Sequence, residues 1–150
     1  MIDFYILSSN STDAFFHFVC RLTEKAIKAK NQVFINSSNI KDANTLDAML
    51  WTFSQGSFIP HLVMTKECAA SNREPVIIGI EENNTETEKS DQAENHCDLM
   101  INLASDVPAF FSRYTRVMEV VDSDPLRKEK GRLRYRFYKD RGYRLKHHNI

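Results

Sequence analysis

The 150-residue sequence contains only four glycines, and no two of them are close together. They are Gly56, Gly79, Gly131 and Gly142. A loop that binds the phosphates of a nucleotide needs several neighbouring glycines, because its backbone amides must approach the anion closely. The sequence therefore lacks a nucleotide-binding glycine loop, and we expect no cofactor.

Cysteine is also scarce, and its spacing excludes two classes of protein. Cys20, Cys68 and Cys97 are far apart and form no CxxC pair, so neither a disulfide framework nor a four-thiolate zinc site is indicated. We expect reduced, mostly buried thiols. His96, Cys97 and Asp98 are adjacent, but neighbouring side chains in a strand point to opposite faces, so we predict no metal site. No GxSxG nucleophile elbow occurs, and we predict no catalytic residue.

Long hydrophobic runs are missing as well. No apolar stretch approaches the roughly 18 residues that a membrane-spanning helix needs. Asp3 lies where a signal peptide would carry basic residues, so we expect a cytoplasmic protein without membrane contact. The length of 150 residues predicts one domain over residues 1–150.

The net charge is zero, but the charges are unevenly distributed. Residues 126–150 contain ten Lys or Arg and two Asp or Glu, whereas residues 1–125 contain ten and eighteen. This asymmetry indicates that the C-terminal end can hold one acidic partner.

Apolar runs alternate with helix-like segments along the chain. We predict strands at residues 2–7, 32–35, 75–80, 99–103 and 115–121. We predict helices at residues 13–30, at 108–114 and from 125 to about 142, and a further helix that follows a cap at 37–39 and ends at 51. Residues 81–95 contain six acids and one lysine, which predicts a flexible acidic loop over 81–96. His147 and His148 are predicted to lie in a frayed tail. This order predicts an α/β sandwich with a mostly parallel sheet.

The last predicted helix has two different faces at about 100° per residue. One face carries Leu126, Lys130, Leu133 and Phe137, through which we expect the helix to dock. The opposite face carries Lys128, Arg132, Tyr135, Arg136 and Lys139. It is either a solvated charged face or a binding surface. The near absence of acids favours binding, because a merely soluble helix interleaves Glu with Lys.

Residues 51–61 place three large aromatic side chains among loop-forming residues. Trp51, Phe53 and Phe58 form either an anchor for a partner protein or a buried corner of the core. Composition alone leaves both interpretations open.

Three segments carry a resemblance to a known family. They are FYIL at 4–7, LDAMLWTF at 46–53 running into SFIPH at 57–61, and VVDSDPLRKEKGRLRYRFYKDRGYRL at 120–145. The last is the most specific, with Lys128 and Arg132 four apart, Arg134-Tyr135-Arg136, Tyr138, and Gly142-Tyr143. Over essentially its whole length the chain resembles the chi subunit family of the bacterial DNA polymerase III clamp loader.

The resemblance implies a Rossmann-like, three-layer α/β fold and a non-catalytic adaptor. Members of the family form a heterodimer with the psi subunit and also bind the C-terminal tail of single-stranded DNA-binding protein, so they contact DNA only indirectly. That tail is acidic and ends in a proline, a phenylalanine and a free carboxylate. The implied tail-binding residues are Val121, Lys128, Arg132, Tyr135, Arg136 and Gly142, with Val121, Tyr135 and a close backbone approach at Gly142 forming a pocket for the phenylalanine. The implied psi-binding residues are Trp51, Phe58 and Pro60.

Two other functions remain as alternatives. In a direct single-stranded nucleic-acid binder, the basic helix would follow the phosphates while Tyr135, Tyr138 and Tyr143 stack on bases. A divergent α/β enzyme is the other, and the missing catalytic motifs argue against it.

Overall fold

The computed structural model describes residues 2–8, 11–52, 61–63, 76–80, 98–104, 106–107, 111 and 114–150. Several predictions concern residues outside these ranges. They are the acidic loop at 81–96, most of the short helix at 108–114, the aromatic residues Phe53 and Phe58, Pro60, and the cluster of His96 and Cys97.

Seven strands and three helices occupy the described residues. The strands are β1 Ile2–Ile6, β2 Val33–Ser37, β3 His61–Val63, β4 Val76–Ile80, β5 Leu99–Asn102, β6 Arg116–Val121 and β7 Leu145–Asn149. The helices are α1 Thr12–Lys28, α2 Ile40–Thr52 and α3 Pro125–Asp140. Among these ranges, no helix is long and apolar enough to cross a membrane.

The strands form one sheet in the order β3-β4-β2-β5-β6-β1-β7. Every neighbouring pair is parallel. Strand side chains alternate between two apolar clusters, since Val33 and Ile35 pack in the cluster of α1 and α2, whereas Phe34 packs with Tyr138 of α3 on the other face. Helices thus cover both faces of the sheet, which confirms the predicted three-layer α/β fold.

Helix α1 forms for the local reasons that its sequence indicates. The Ser11 side chain accepts a hydrogen bond from the amide of Ala14, so it caps the first turn. The predicted apolar stripe is the buried face, which includes Phe15, Val19 and Leu22. Cys20 on this face is a free, buried thiol, and burial raises its pKa to about 12. It is therefore expected to be unreactive.

Both ends of α3 lie where the sequence predicts them. The Asp124 side chain accepts from the amide of Arg127 at 3.1 Å, and Pro125 is the first helical residue. After the helix, Gly142 has a φ of +82°, a conformation that favours glycine. The Tyr143 amide then donates to the Tyr138 carbonyl at 3.1 Å, which closes the helix end.

The prediction that α3 docks through its leucine face is wrong. Leu126 and Leu133 are 65% and 56% exposed, while the helix buries Gly131, Arg134 and Tyr138. Helical periodicity identifies apolar residues, but it cannot reveal that the sheet beneath this helix carries a buried acid. A basic and a phenolic side chain satisfy that acid better than leucine does.

The prediction that His147 and His148 lie in a frayed tail is also wrong, because they belong to β7. This strand pairs in parallel with β1, with Phe4 opposite His147 and Tyr5 opposite His148. The Ile150 amide also donates to the Ile6 carbonyl at 2.9 Å. Backbone pairing orders this polar edge strand, and its composition gives little sign of it.

Candidate functional site: a basic groove beside the last helix

A buried polar network fixes the rotation of α3 on the sheet. Arg134 Nε donates to Glu119 Oε1 at 2.8 Å, and the Tyr138 hydroxyl donates to Oε2 at 2.7 Å. Asn102 Nδ2 donates to the same Oε2 at 3.0 Å. Burial raises the pKa of Glu119, while the charge of Arg134 and the three hydrogen bonds oppose that effect. These contacts turn the opposite side of the helix, with its basic residues, toward solvent.

A groove with a volume of about 200 Å³ lies between α3 and β7. The neighbouring strands β6, β1 and β7 form its floor, and α3 lies over them. The lining residues are Phe4, Ile6, Val121, Lys128, Gly131, Arg132, Tyr135 and His147.

Gly131 allows α3 to lie directly on the floor of the groove. A Cβ atom at this position would lie 2.7 Å from Cγ2 of Val121 and 3.1 Å from Cγ1. The close backbone approach that was expected at Gly142 is therefore found at Gly131 instead. Gly142 is exposed, does not line the groove, and has no atom within 4 Å of an added Cβ.

The ring of Tyr135 is held between two aromatic neighbours. It meets Phe4 edge-on with ring centroids 5.2 Å apart, and it stacks on His147 at 5.0 Å. Both contacts lie in the range of favourable aromatic pairs. Tyr135 is consequently a half-buried, oriented wall residue.

The rim of the groove is positively charged. Lys128 and Arg132 are exposed, and in the part of the chain that the structure describes neither forms an ion pair. Arg127, one residue earlier, instead binds both carboxylate oxygens of Asp122 at 2.9 and 2.7 Å. The groove thus combines an apolar interior with two cations that can bind an anion.

The basic surface continues toward the end of α3. A second depression is lined by Arg132, Tyr135, Arg136, Lys139 and Asp140. It shares Arg132 and Tyr135 with the groove, so a ligand in the groove can extend over Arg136 and Lys139.

The structure brings together most of the residues that were predicted for tail binding. Val121, Lys128, Arg132 and Tyr135 line the groove, Arg136 lies beside it, and Gly142 lies apart. The sequence-based prediction missed Phe4, Ile6, Gly131 and His147. Alternation along β1 gives a signal for Phe4 and Ile6, which share one face of a strand. No sequence signal places His147 here, because β7 was not predicted.

The residues that were predicted for psi binding are mostly outside the described ranges. Trp51 belongs to the last turn of α2, and α2 packs on the face of the sheet opposite to α3. Phe58 and Pro60 are not described, so their role stays a prediction.

The groove does not have the composition of a metal site. Among the described residues, His147 is the only usual metal ligand in its lining, and the other polar side chains there are cationic or phenolic. Over the described ranges, no three His, Cys, Asp or Glu side chains are grouped so that they could hold a metal ion.

Sequence comparisons identify the family. The profile of the family described as DNA polymerase III chi subunit, HolC, matches residues 1–146. The chain belongs to this family. It is 33% identical over 149 residues to DNA polymerase III subunit chi of Pseudomonas aeruginosa. The aligned region covers 99% of this chain and 96% of the Pseudomonas protein. It is also 26% identical over 148 residues to the protein of the same name from Haemophilus influenzae, with coverage of 98% and 95%.

A third relative, DNA polymerase III subunit chi of Escherichia coli, is 25% identical over 146 residues, which is 95% of this chain and 92% of that protein. These matches confirm the resemblance in the sequence segments. The chain is accordingly an accessory subunit of DNA polymerase III with a role in DNA replication.

Proposed function

We propose that this chi-family chain is a non-catalytic adaptor that links the psi subunit to the acidic C-terminal tail of single-stranded DNA-binding protein. The observation that carries the proposal is the groove beside α3, where Lys128 and Arg132 flank an apolar floor of Phe4, Ile6 and Val121. An acidic peptide that ends in an aromatic ring and a carboxylate has the matching chemistry.

The size of the groove suits one aromatic side chain. An apolar cavity of about 150 Å³ accommodates benzene, and the groove has a volume of about 200 Å³. In the proposed complex the terminal phenylalanine ring lies against Val121 and Tyr135. Burial of such a side chain contributes roughly 1.5 to 3 kcal/mol.

The charged part of the ligand binds at the rim. Arg132 can bind a carboxylate through two parallel hydrogen bonds, while Lys128 acts as a compact positive charge. Upstream acids of the tail then lie over Arg136 and Lys139 in the adjoining depression. Because these cations are exposed, added salt is expected to weaken binding over a screening length of about 8 to 10 Å.

The adaptor role requires two partners to bind at once. We propose that psi binds a surface that includes Trp51, Phe58 and Pro60. Trp51 is in α2, and α2 and α3 cover opposite faces of the sheet. A partner on the α2 side therefore leaves the groove beside α3 accessible.

Direct binding of single-stranded nucleic acid is the alternative, and the burial of Tyr138 disfavours it. Tyr138 is fully buried and its hydroxyl donates to Glu119, so it cannot stack on a base. A strand-binding surface needs exposed aromatic faces.

Titration with a fluorescent tail peptide and, separately, with labelled oligothymidine tests the proposal. We expect the peptide to bind and Arg132→Ala to cost about 1.5 to 3 kcal/mol of affinity, because a charge-assisted contact is lost. Deletion of the terminal phenylalanine should cost at least as much.

Lys130→Ala is the matched control, since Lys130 is on the same helix but does not line the groove. It should bind the peptide like the parent protein. Tight oligothymidine binding without peptide binding would overturn the proposal and support the alternative, with an affinity that falls steeply in salt.

A further inference from the structure

Strand β7 is the edge strand beside β1, and it contributes His147 to the lining of the groove. His147 is exposed, lines the groove, and stacks on Tyr135 with an angle of 27° between the rings. We propose that His147 is a further ligand-binding residue, which contacts the anionic end of the bound peptide and makes its affinity depend on pH. This inference rests on the proposed function of the groove.

The chemistry of the lining residues supports this role. Strands β1 and β6 contribute the apolar side chains Phe4, Ile6 and Val121, and the cations Lys128 and Arg132 are both on α3. The imidazole is the polar group on the β7 side. A ring N–H can donate to a carboxylate, and the ring face extends the aromatic surface of Tyr135. A ligand in the groove can thus be contacted by residues of α3 and of β7.

Protonation of His147 adds a third positive charge beside the ligand. Histidine changes its charge between about pH 5 and 8. A protonated imidazole attracts a bound carboxylate more strongly than a neutral imidazole does. By linkage, affinity for an anionic peptide rises as the pH falls, and binding takes up protons.

The acidic side chains near His147 have other partners, so the counterion of a protonated His147 is the bound ligand. On β6, Glu119 faces the same side of the sheet but is bound by Arg134 and Tyr138. On β1, Asp3 alternates to the opposite face, where it contacts His148 at 3.2 Å. Among the described residues, no acidic side chain lines the groove.

The test compares His147→Phe with His148→Gln in the full-length chain. The first variant keeps an aromatic wall but cannot be protonated, and the second changes the next residue of β7, which contacts Asp3 and stacks on Tyr5. Tail-peptide affinity is measured at about pH 8 and about pH 5.5, the range in which histidine titrates. Thermal melting of each variant establishes that it is folded.

We expect the parent protein and His148→Gln to gain about 1.5- to 5-fold in affinity at the lower pH, as for an exposed ion pair, and His147→Phe to lack this gain. Calorimetry in two buffers of different ionisation enthalpy should show proton uptake on binding that His147→Phe reduces. The inference is overturned if His147→Phe retains the parent pH profile and proton uptake. If the parent protein binds no peptide at either pH, the proposed function fails, and the role of His147 fails with it.

Discussion

Removal of Arg134 is expected to destabilise the fold strongly, because it leaves a buried carboxylate without its cation. Glu119 is 0% exposed, and the Arg134 side chain is 7% exposed. In Arg134→Met the carboxylate keeps only neutral donors, from Asn102 and Tyr138. Breaking one partner of a buried pair costs about 3 to 5 kcal/mol of unfolding free energy.

A second substitution tests whether the charge is the cause. In Glu119→Gln with Arg134→Met, the side-chain oxygen still accepts from Tyr138, but no charge is buried. We therefore expect the double variant to recover most of the loss, to within about 2 kcal/mol of the parent protein, since both partners of the pair are then neutral. Neighbouring substitutions of this kind are not additive, and the double-mutant cycle measures their coupling.

The pH dependence has a definite sign. Burial raises the folded-state pKa of Glu119 above its ordinary value of 4.5, and loss of the opposing charge of Arg134 should raise it further. The resulting contribution to stability is present below the ordinary pKa and is lost as the pH rises through the folded-state value. The defect of Arg134→Met should therefore be largest near neutral pH and shrink as the solution becomes acidic.

Urea unfolding followed by circular dichroism measures these free energies at each pH. The reasoning is refuted if Arg134→Met lies within about 1 kcal/mol of the parent protein near neutral pH, the cost of an ordinary surface substitution. It is equally refuted if the double variant is no more stable than Arg134→Met alone.

Three further substitutions test the packing of α3 and the proposed psi surface. In urea unfolding, Gly131→Ala should destabilise the fold by about 1 to 2 kcal/mol, because steric overlap of the new Cβ with Val121 outweighs the higher helix propensity of alanine. A variant more stable than the parent protein would contradict this. Trp51→Ala and Phe58→Ala should each weaken the psi complex by about 2 to 4 kcal/mol in calorimetric titration and leave tail-peptide binding unchanged. Unfolded variants would support a buried corner instead, and folded variants with normal psi affinity would remove the anchor role.

Local signals in the sequence determined the order and the ends of most elements. Asp124 and Pro125 start α3, and Gly142 follows its end, because capping and left-handed backbone depend on residues within a few positions. The apolar run at 76–80 and the stripe of α1 likewise fix the class of fold. The basic character of the C-terminal end also follows from composition alone.

Only the tertiary structure decided how α3 is rotated and what lies across from it. Glu119 lies on another element than Arg134 and Tyr138, which bind its carboxylate. Because these two side chains are buried against Glu119, Leu126 and Leu133 on the other side of the helix are exposed. Strand β7 forms because its backbone pairs with β1, and its polar residues give no sequence signal for a strand. The groove depends on both the rotation of α3 and the pairing of β7 with β1. Its basic residues on α3 could be predicted from the sequence, but the position of His147 could not.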